Sequence, residues 1–554
     1  MMTAARVFAK QGLNLWGTAA GFVALLLGLP VLVVAGYLFE PSGEVWQHLL
    51  DTTLKDYVIN SLLLMIGVAC GVLLLGVSTA WLTSMCEFPG RGVFEWALLL
   101  PMAIPAYIIA YTYTGLFDYA GPFQSWLREL LGPGYGDYWF PEIRSLGGAV
   151  LMLTLVLYPY VYLLARAAFL NQSLCVLDVS RTLGNGAWRS FFQVALPMAR
   201  PAIVAGLSLA LMETLADYGT VQYFGVSTFT TGIFRTWYGL DNAAAAAQLS
   251  AVLLLFVFTL VVLEKASRRQ ARYHHTTQRH QGLDRFRLTR GQAWGAWLFC
   301  GATLMLGFLL PFGQLLHWAL TTADEQLDGR FLTLIMNSLM LAGSASLLAL
   351  LLALFFGYSR RLQGGWMVAA AVRVASMGYA IPGTVIAIGV MIPFAALDNQ
   401  LDAWMRAQFG WSSGLLLSGT LAALLFAYLV RFLAVSLQTV EAGLSKIRPS
   451  MDEVARSLGS GPREILGRVH IPMLKGSLLT ALLLVFVDVL KELPATLILR
   501  PFNFNTLSVR AYELASDERL ADAAYASLSI VAVGILPVIL LSRSITRSRH
   551  AKST

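Results

Sequence analysis

Charge is scarce in this chain. Of its 554 residues, 13% are Asp, Glu, Lys or Arg, against about 25% in an ordinary soluble domain. With 57% apolar residues and a mean hydropathy of +0.66, that deficit argues against a soluble fold. Cysteine is scarce too. Cys70, Cys86, Cys175 and Cys300 show no CxxC spacing, which excludes a disulfide framework. A GxxxxGK[ST] phosphate loop is missing, and no Gly-Lys dipeptide occurs anywhere. The chain therefore lacks the loop that cradles nucleotide phosphates, and it is not expected to act as an enzyme by itself.

What fills the chain instead is long apolar runs. A helix needs about 20 apolar residues to cross a bilayer. Twelve runs qualify, near 15–37, 58–82, 94–116, 146–170, 198–225, 247–264, 293–318, 332–357, 367–394, 414–437, 473–500 and 525–542. The first is too long for a signal-peptide core and lacks a small-residue cleavage site, so it is expected to be a retained helix. The spacing thus predicts an all-α membrane protein of about twelve transmembrane helices. Lys and Arg in the loops set the orientation. Arg6 and Lys10 precede the first run, and Glu264 to Arg290 holds eight Lys or Arg against two acids. Arg360, Arg361, Arg543, Arg547, Arg549 and Lys552 fall on the same side when the runs alternate. Both termini are expected to be cytoplasmic. Basic loops beside anionic lipid account for the net charge of +8 without nucleic acid.

The chain is also written twice. Asn60-Ser-Leu62 returns at Asn337–Leu339, and Ala103-Ile-Pro105 returns at Ala380–Pro382, both at an offset of 277 in the numbering. Asp178/Glu453, Arg181/Arg456, Gly184/Gly459, Gly186/Gly461, Pro197/Pro472, Glu213/Asp488 and Asp217/Glu492 follow at an offset of 275. This order predicts two homologous six-helix halves, 1–263 and 293–554, joined by a basic cytoplasmic linker at 264–292. An even number of spans per half makes them parallel repeats, with a substrate path expected on the axis between them.

The two glycine-punctuated stretches, Asp178–Pro197 and Asp452–Pro472, fall on the cytoplasmic side. Each reads as a short helix, a glycine turn and an amphipathic return to the membrane ending near a proline. This pattern resembles the EAA loop of ATP-binding-cassette importer permeases. Two copies in one chain resemble the fused permeases that carry both transmembrane halves. "ETLADYGTVQYFGVSTFTTGIFRTWYG", Glu213 to Gly239, resembles the ferric-iron permeases that work with periplasmic iron-binding proteins. In the first copy Val179 and Ser180 replace the two alanines of the pattern, while the glycine and proline spacing is kept. The resemblance implies the type I importer fold in a bacterial inner membrane, and two coupling helices seated in a homodimer of cytoplasmic ATPase subunits. Those subunits hold the ATP and Mg, and a periplasmic binding protein delivers Fe(III). Asp178, Arg181, Gly184, Gly186, Glu453, Arg456, Gly459 and Gly461 would make the ATPase contact.

Acids inside a span are costly and point to function. Glu213 and Asp217 are four apart, and Asp488 and Glu492 repeat the spacing. With Tyr218 and Tyr223 they offer hard oxygen donors suited to Fe(III), in a path that must also release its ion, so no stable metal site is expected. The alternative is that these acids pair with Arg235, Lys491 or Arg510 and hold loops in place. A fused permease for thiamine or another small solute, and a twelve-span secondary transporter, are the competing functions.

Overall fold

Hydrocarbon offers no water to a backbone N–H or C=O, so a spanning segment must close its own hydrogen bonds. The computed structural model does this with helices. It describes residues 15–40, 43–131, 138–171, 187–269, 285–322, 329–362 and 365–550. In the first half run α1 (Leu15–Gly36), α2 (Leu54–Met85), α3 (Ala106–Phe117), α4 (Leu146–Asn171), α5 (Leu196–Ala216), α6 (Gly219–Tyr223) and α7 (Ala243–Arg269). The second half has α8 (Arg290–Leu304), α9 (Leu310–Thr321), α10 (Gly329–Leu362), α11 (Gly383–Phe409), α12 (Leu421–Leu444) and α13 (Pro449–Ser457). It ends with α14 (Ile471–Lys491), α15 (Pro494–Leu499), α16 (Leu507–Ser516) and α17 (Ala524–His550). Among the described residues strand is confined to β1 (Cys86–Glu87) and β2 (Phe286–Arg287), a parallel pair with Cys86 opposite Phe286.

Ten helices of the described residues are long and apolar enough to cross a membrane, with α8 and α9 counting as one. The expected third span is a broken pair, Arg91–Ala103 and Ala106–Leu130, bent by 92°. The last is shorter, an apolar helix over Ala524–Ile539. With these two, each of the twelve expected runs has a helical counterpart. Large apolar side chains such as Phe22, Leu25, Leu63, Ile66 and Leu74 point outward, as lipid requires and water would not favour.

The repeated Ala-Ile-Pro marks a break and not merely a kink. A 3-10 turn at Leu100–Ala103 gives way to an extended Ile104, and Pro105 caps α3. Gly378–Ala380, the extended Ile381 and Pro382 do the same before α11. A proline ring pushes the preceding residue out of the helical region, and proline brings no N–H of its own. The expected span 367–394 is corrected accordingly: Trp366–Ala375 is a separate helix, and the membrane-length helix starts at Gly383.

Contacts divide the chain into two compact units. The first holds Met1–Pro41, Asp241–Ala251 and Arg330–Thr506; the second holds Ser42–Leu240, Val252–Gly329 and Leu507–Thr554. Neither is one sequence half, because the repeat traces copied sequence and the units trace packing. Within the first unit α1 packs on α11 and on Trp366–Ala375, and α12 packs on α14. Within the second, α2 lies along α4, α5 covers α4, and α17 packs on α9 and on the Leu100–Ala103 turn. At the α2–α4 crossing a Cβ on Gly71 would fall 2.4 Å from Thr154 Oγ1, so the close approach requires a residue without one.

Candidate functional site

The second glycine-punctuated stretch folds into α13, and its end is set by Gly459. That residue has φ +85. Its N–H donates to Arg456 O at 3.0 Å, and Ser460 N–H donates to Ala455 O at 3.0 Å. This nested pair closes a helix through one left-handed residue, a conformation glycine adopts without strain. Gly461 differs from expectation: its φ is −73 and its backbone extended. Its carbonyl starts the next turn by accepting from Glu464 and Ile465 N–H. A π turn, Leu466–His470, then leads into α14, with Ile471 N–H bonded five residues back to Leu466 O. Pro472 follows it, and the wider turn sits where proline withdraws a donor.

The faces of α13 are unequal. Met451, Val454 and Leu458 stand exposed at helical spacing, and Glu453 and Arg456 are exposed on other faces. Asp452 is buried on the opposite side. Arg361, from the end of α10, donates to Asp452 Oδ2 from Nε at 2.7 Å and to Oδ1 from Nη2 at 3.1 Å. His470 Nε2 lies 2.8 Å from the same Oδ1. Burial pushes the Asp452 carboxyl up, but the hydrogen bonds and charges of Arg361 and His470 outweigh it and hold the group below its ordinary value. In the first copy, Asp178, Arg181, Gly184 and Gly186 lie outside the described residues. The continuation is described: a π turn at Phe191–Ala195 runs into α5, where Pro197 follows, the same order as in the second copy.

The acids at the ends of α5 and α14 cap the short helices that follow. Asp217 Oδ2 accepts from the N–H groups of Thr220 and Val221, each at 3.1 Å, and Oδ1 accepts from the Thr220 hydroxyl at 3.0 Å. Glu492 Oε1 accepts from Ala495 N–H at 2.9 Å, and Oε2 from Thr496 N–H at 3.0 Å and its hydroxyl at 2.7 Å. Orphan N–H groups at a helix start favour a carboxylate. Glu492 also holds an ion pair with Arg431 Nη1 at 3.1 Å. Arg431 of α12 is thus a cation for this acid beyond the candidates Arg235, Lys491 and Arg510.

Glu213 and Asp488, one turn earlier, are half-buried. Tyr218 is buried, its ring stacked 3.7 Å from that of Phe234 and tilted against that of Tyr512 at 6.0 Å. Tyr223 lies under the Arg144 guanidinium at 5.1 Å. Glu213, Asp217, Tyr218 and Tyr223 belong to the second unit, Asp488 and Glu492 to the first. Two residues gain a role that their repetition alone did not reveal. Asn60 Nδ2 donates to Ser227 O at 2.9 Å, and Asn337 Nδ2 donates to Asn505 O at 3.2 Å. The repeated Asn-Ser-Leu thus ties a long helix to the loop beyond the capped break in each half.

Residues 72–272 and 345–549 each match the family described as binding-protein-dependent transport system inner membrane component. The chain is similar along most of its length to the Fe(3+)-transport system permease protein FbpB 2 of Haemophilus influenzae. The two are 26% identical over 531 residues, covering 94% of this chain and 97% of that one. A ferric transport system permease protein FbpB of Actinobacillus pleuropneumoniae is 22% identical over 467 residues, 80% of this chain and 64% of its own. The molybdenum transport system permease protein ModB of Escherichia coli is 29% identical over 149 residues, 27% of this chain and 62% of its own.

Proposed function

Because the chain belongs to the family of binding-protein-dependent transport system inner membrane components, we propose that it is the fused permease subunit of an ATP-driven importer whose cargo is ferric iron handed over by a periplasmic binding protein. The observation that carries the cargo is coverage. The relatives reported that align with both halves, over 94% and 80% of the chain, are named for Fe(3+) or ferric transport. The halves 1–263 and 293–554 then serve as the two permease domains, joined at 264–292, with both termini cytoplasmic.

Energy enters from outside the chain. A homodimer of ATPase subunits with ATP and Mg drives alternating access through the two cytoplasmic segments. The apolar ridge of Met451, Val454 and Leu458 supports this reading, since a short helix with an exposed apolar stripe suits a groove in a partner. Glu453 and Arg456 would flank the contact, and Asp178, Arg181, Gly184 and Gly186 would repeat it. On the cargo side Glu213, Asp217 and Asp488, with Tyr218 and Tyr223, offer oxygen ligands. Glu492 is the weakest member, because Arg431 already neutralises it.

Vesicles holding the chain, its ATPase and its binding protein test this. ATP-dependent uptake of radiolabelled Fe(III) is expected, reduced several-fold by Asp217→Asn and little changed by Arg431→Leu combined with Glu492→Gln, which removes the ion pair whole. Uptake of molybdate or sulfate in place of iron would overturn the cargo. Full iron uptake in the Asp217→Asn vesicles would remove that acid from the path.

A further inference from the structure

One turn of α10 touches both ends of the second coupling segment. Besides gripping Asp452, Arg361 donates from Nη1 to Leu444 O at 2.8 Å and from Nη2 to Ile447 O at 3.1 Å. These carbonyls belong to the end of α12 and the turn that leads into α13. Tyr358, three positions before Arg361, donates its hydroxyl to Pro462 O beyond α13. Its ring meets His470 edge-on at 5.6 Å. The fully buried His470 in turn reaches Asp452. The chain leaving α12, the helix α13 and the turn returning to α14 are thus fastened at one point, and its centre is a guanidinium. A planar fork matches a carboxylate with two parallel bonds while its remaining donors take helix-end carbonyls.

The matching positions of the first half carry other residues. At the offset of 277, Tyr358 corresponds to Trp81 and Arg361 to Ser84, and at 275 His470 corresponds to Ala195. Trp81 packs instead on the rings of Phe169, Phe191 and Phe286, and the Ser84 hydroxyl donates to Ala80 O, within its own helix.

We propose that Arg361 is a positioning residue that makes α13 and α10 one stiff lever, so that displacement of α13 reaches the membrane helices of the second half without being absorbed in the turns at 445–448 and 458–462. This rests on the coupling role given to α13 above. A joint of charge-assisted hydrogen bonds resists a push in directions where apolar rings can slide.

The test uses the full complex of chain, ATPase subunits and binding protein in vesicles, and reads cargo taken up per ATP hydrolysed in each assembled complex. Arg361→Gln is expected to lower that ratio about tenfold, since bonds to a charged group are lost. Arg361→Lys, which keeps the charge and loses the fork, should fall between. Asp452→Asn combined with Arg361→Gln should be no worse than Arg361→Gln alone. A wild-type ratio in Arg361→Gln overturns the lever. If that variant does not assemble, a wild-type ratio in Arg361→Lys overturns it equally. A wild-type chain that binds no ATPase, or shows no ATP-dependent uptake, overturns the coupling role itself.

Discussion

In the first half Asp217 turns the end of α5 into α6 with two N–H groups and one hydroxyl. In the second half Glu492 does the same between α14 and α15, and also takes Arg431 at 3.1 Å. Helices α4 and α12 start at Leu146 and Leu421, again at the offset of 275, and there Arg431 corresponds to Val156. The space around the arginine is arranged to match. A Cβ on Gly383 would lie 2.4 Å from Arg431 Nη1 and 2.6 Å from Glu492 Oε1, and the corresponding residue of the first half, at the offset of 277, is Ala106. The shared work of the acid is capping a broken helix; among the described residues, compensating its charge with a cation is an addition in one half only. If a cation passes, the uncompensated carboxylate is the one left to attract it.

The comparison breaks most visibly at Arg431. Arg431→Leu leaves a buried carboxylate without its cation, which should cost about 3–5 kcal/mol. In detergent-solubilised protein the thermal midpoint should fall sharply, and adding Glu492→Gln should restore most of it. Val156→Leu, at the matching place, should move the midpoint far less. Gly383→Ala comes next, at about 1–3 kcal/mol from forced displacement of the ion pair. Its mirror, Ala106→Gly, should cost below about 1 kcal/mol; equal losses for the two would contradict the asymmetry. The smallest effects test what the halves share. Asn60→Ala and Asn337→Ala each remove one hydrogen bond to a loop carbonyl and should each cost about 1 kcal/mol. A large difference between them in the same unfolding assay would mean that the repeated anchor is not equivalent.

Much of the fold was legible in the chain. Apolar runs of spanning length located the helices, because the bilayer sets that length. The prolines of Ala103-Ile-Pro105 and Ala380-Ile-Pro382 announced trouble in two spans, although a break and a kink write the same letters. Which helix neighbours which was not legible. Nothing in Leu15–Gly36 indicates that it packs on α11 of the other half, since periodicity describes a helix's own faces and not its neighbours. The acids were found because a charge in an apolar run stands out. Arg431 stood out on the same grounds, inside the run 414–437, but Arg166, Arg200, Arg373, Lys475 and Lys491 also lie inside runs, and the sequence alone does not choose among them as the partner of Glu492. Arg361 was counted only as one of the positive charges that orient the chain, and its grip on Asp452 joins two distant parts of the sequence, beyond any local pattern. The glycines of the second punctuated stretch were partly legible: Gly459 takes the left-handed turn, while Gly461 begins a helix with ordinary backbone.

The π turns at Phe191–Ala195 and Leu466–His470 carry a record of descent. A π turn is in effect one residue inserted into a helix, and it rotates everything beyond it by about 100°. Two independent insertions would rarely land at matching places in both copies, each just before a proline. A single π turn in an ancestral half, passed to both copies with the Ala-Ile-Pro break and the asparagine anchor, accounts for the match. The Arg361 joint and the Arg431–Glu492 pair have no such twin among the described residues. They mark where the two halves now differ, each able to hold a device the other lacks because both remain in the same molecule.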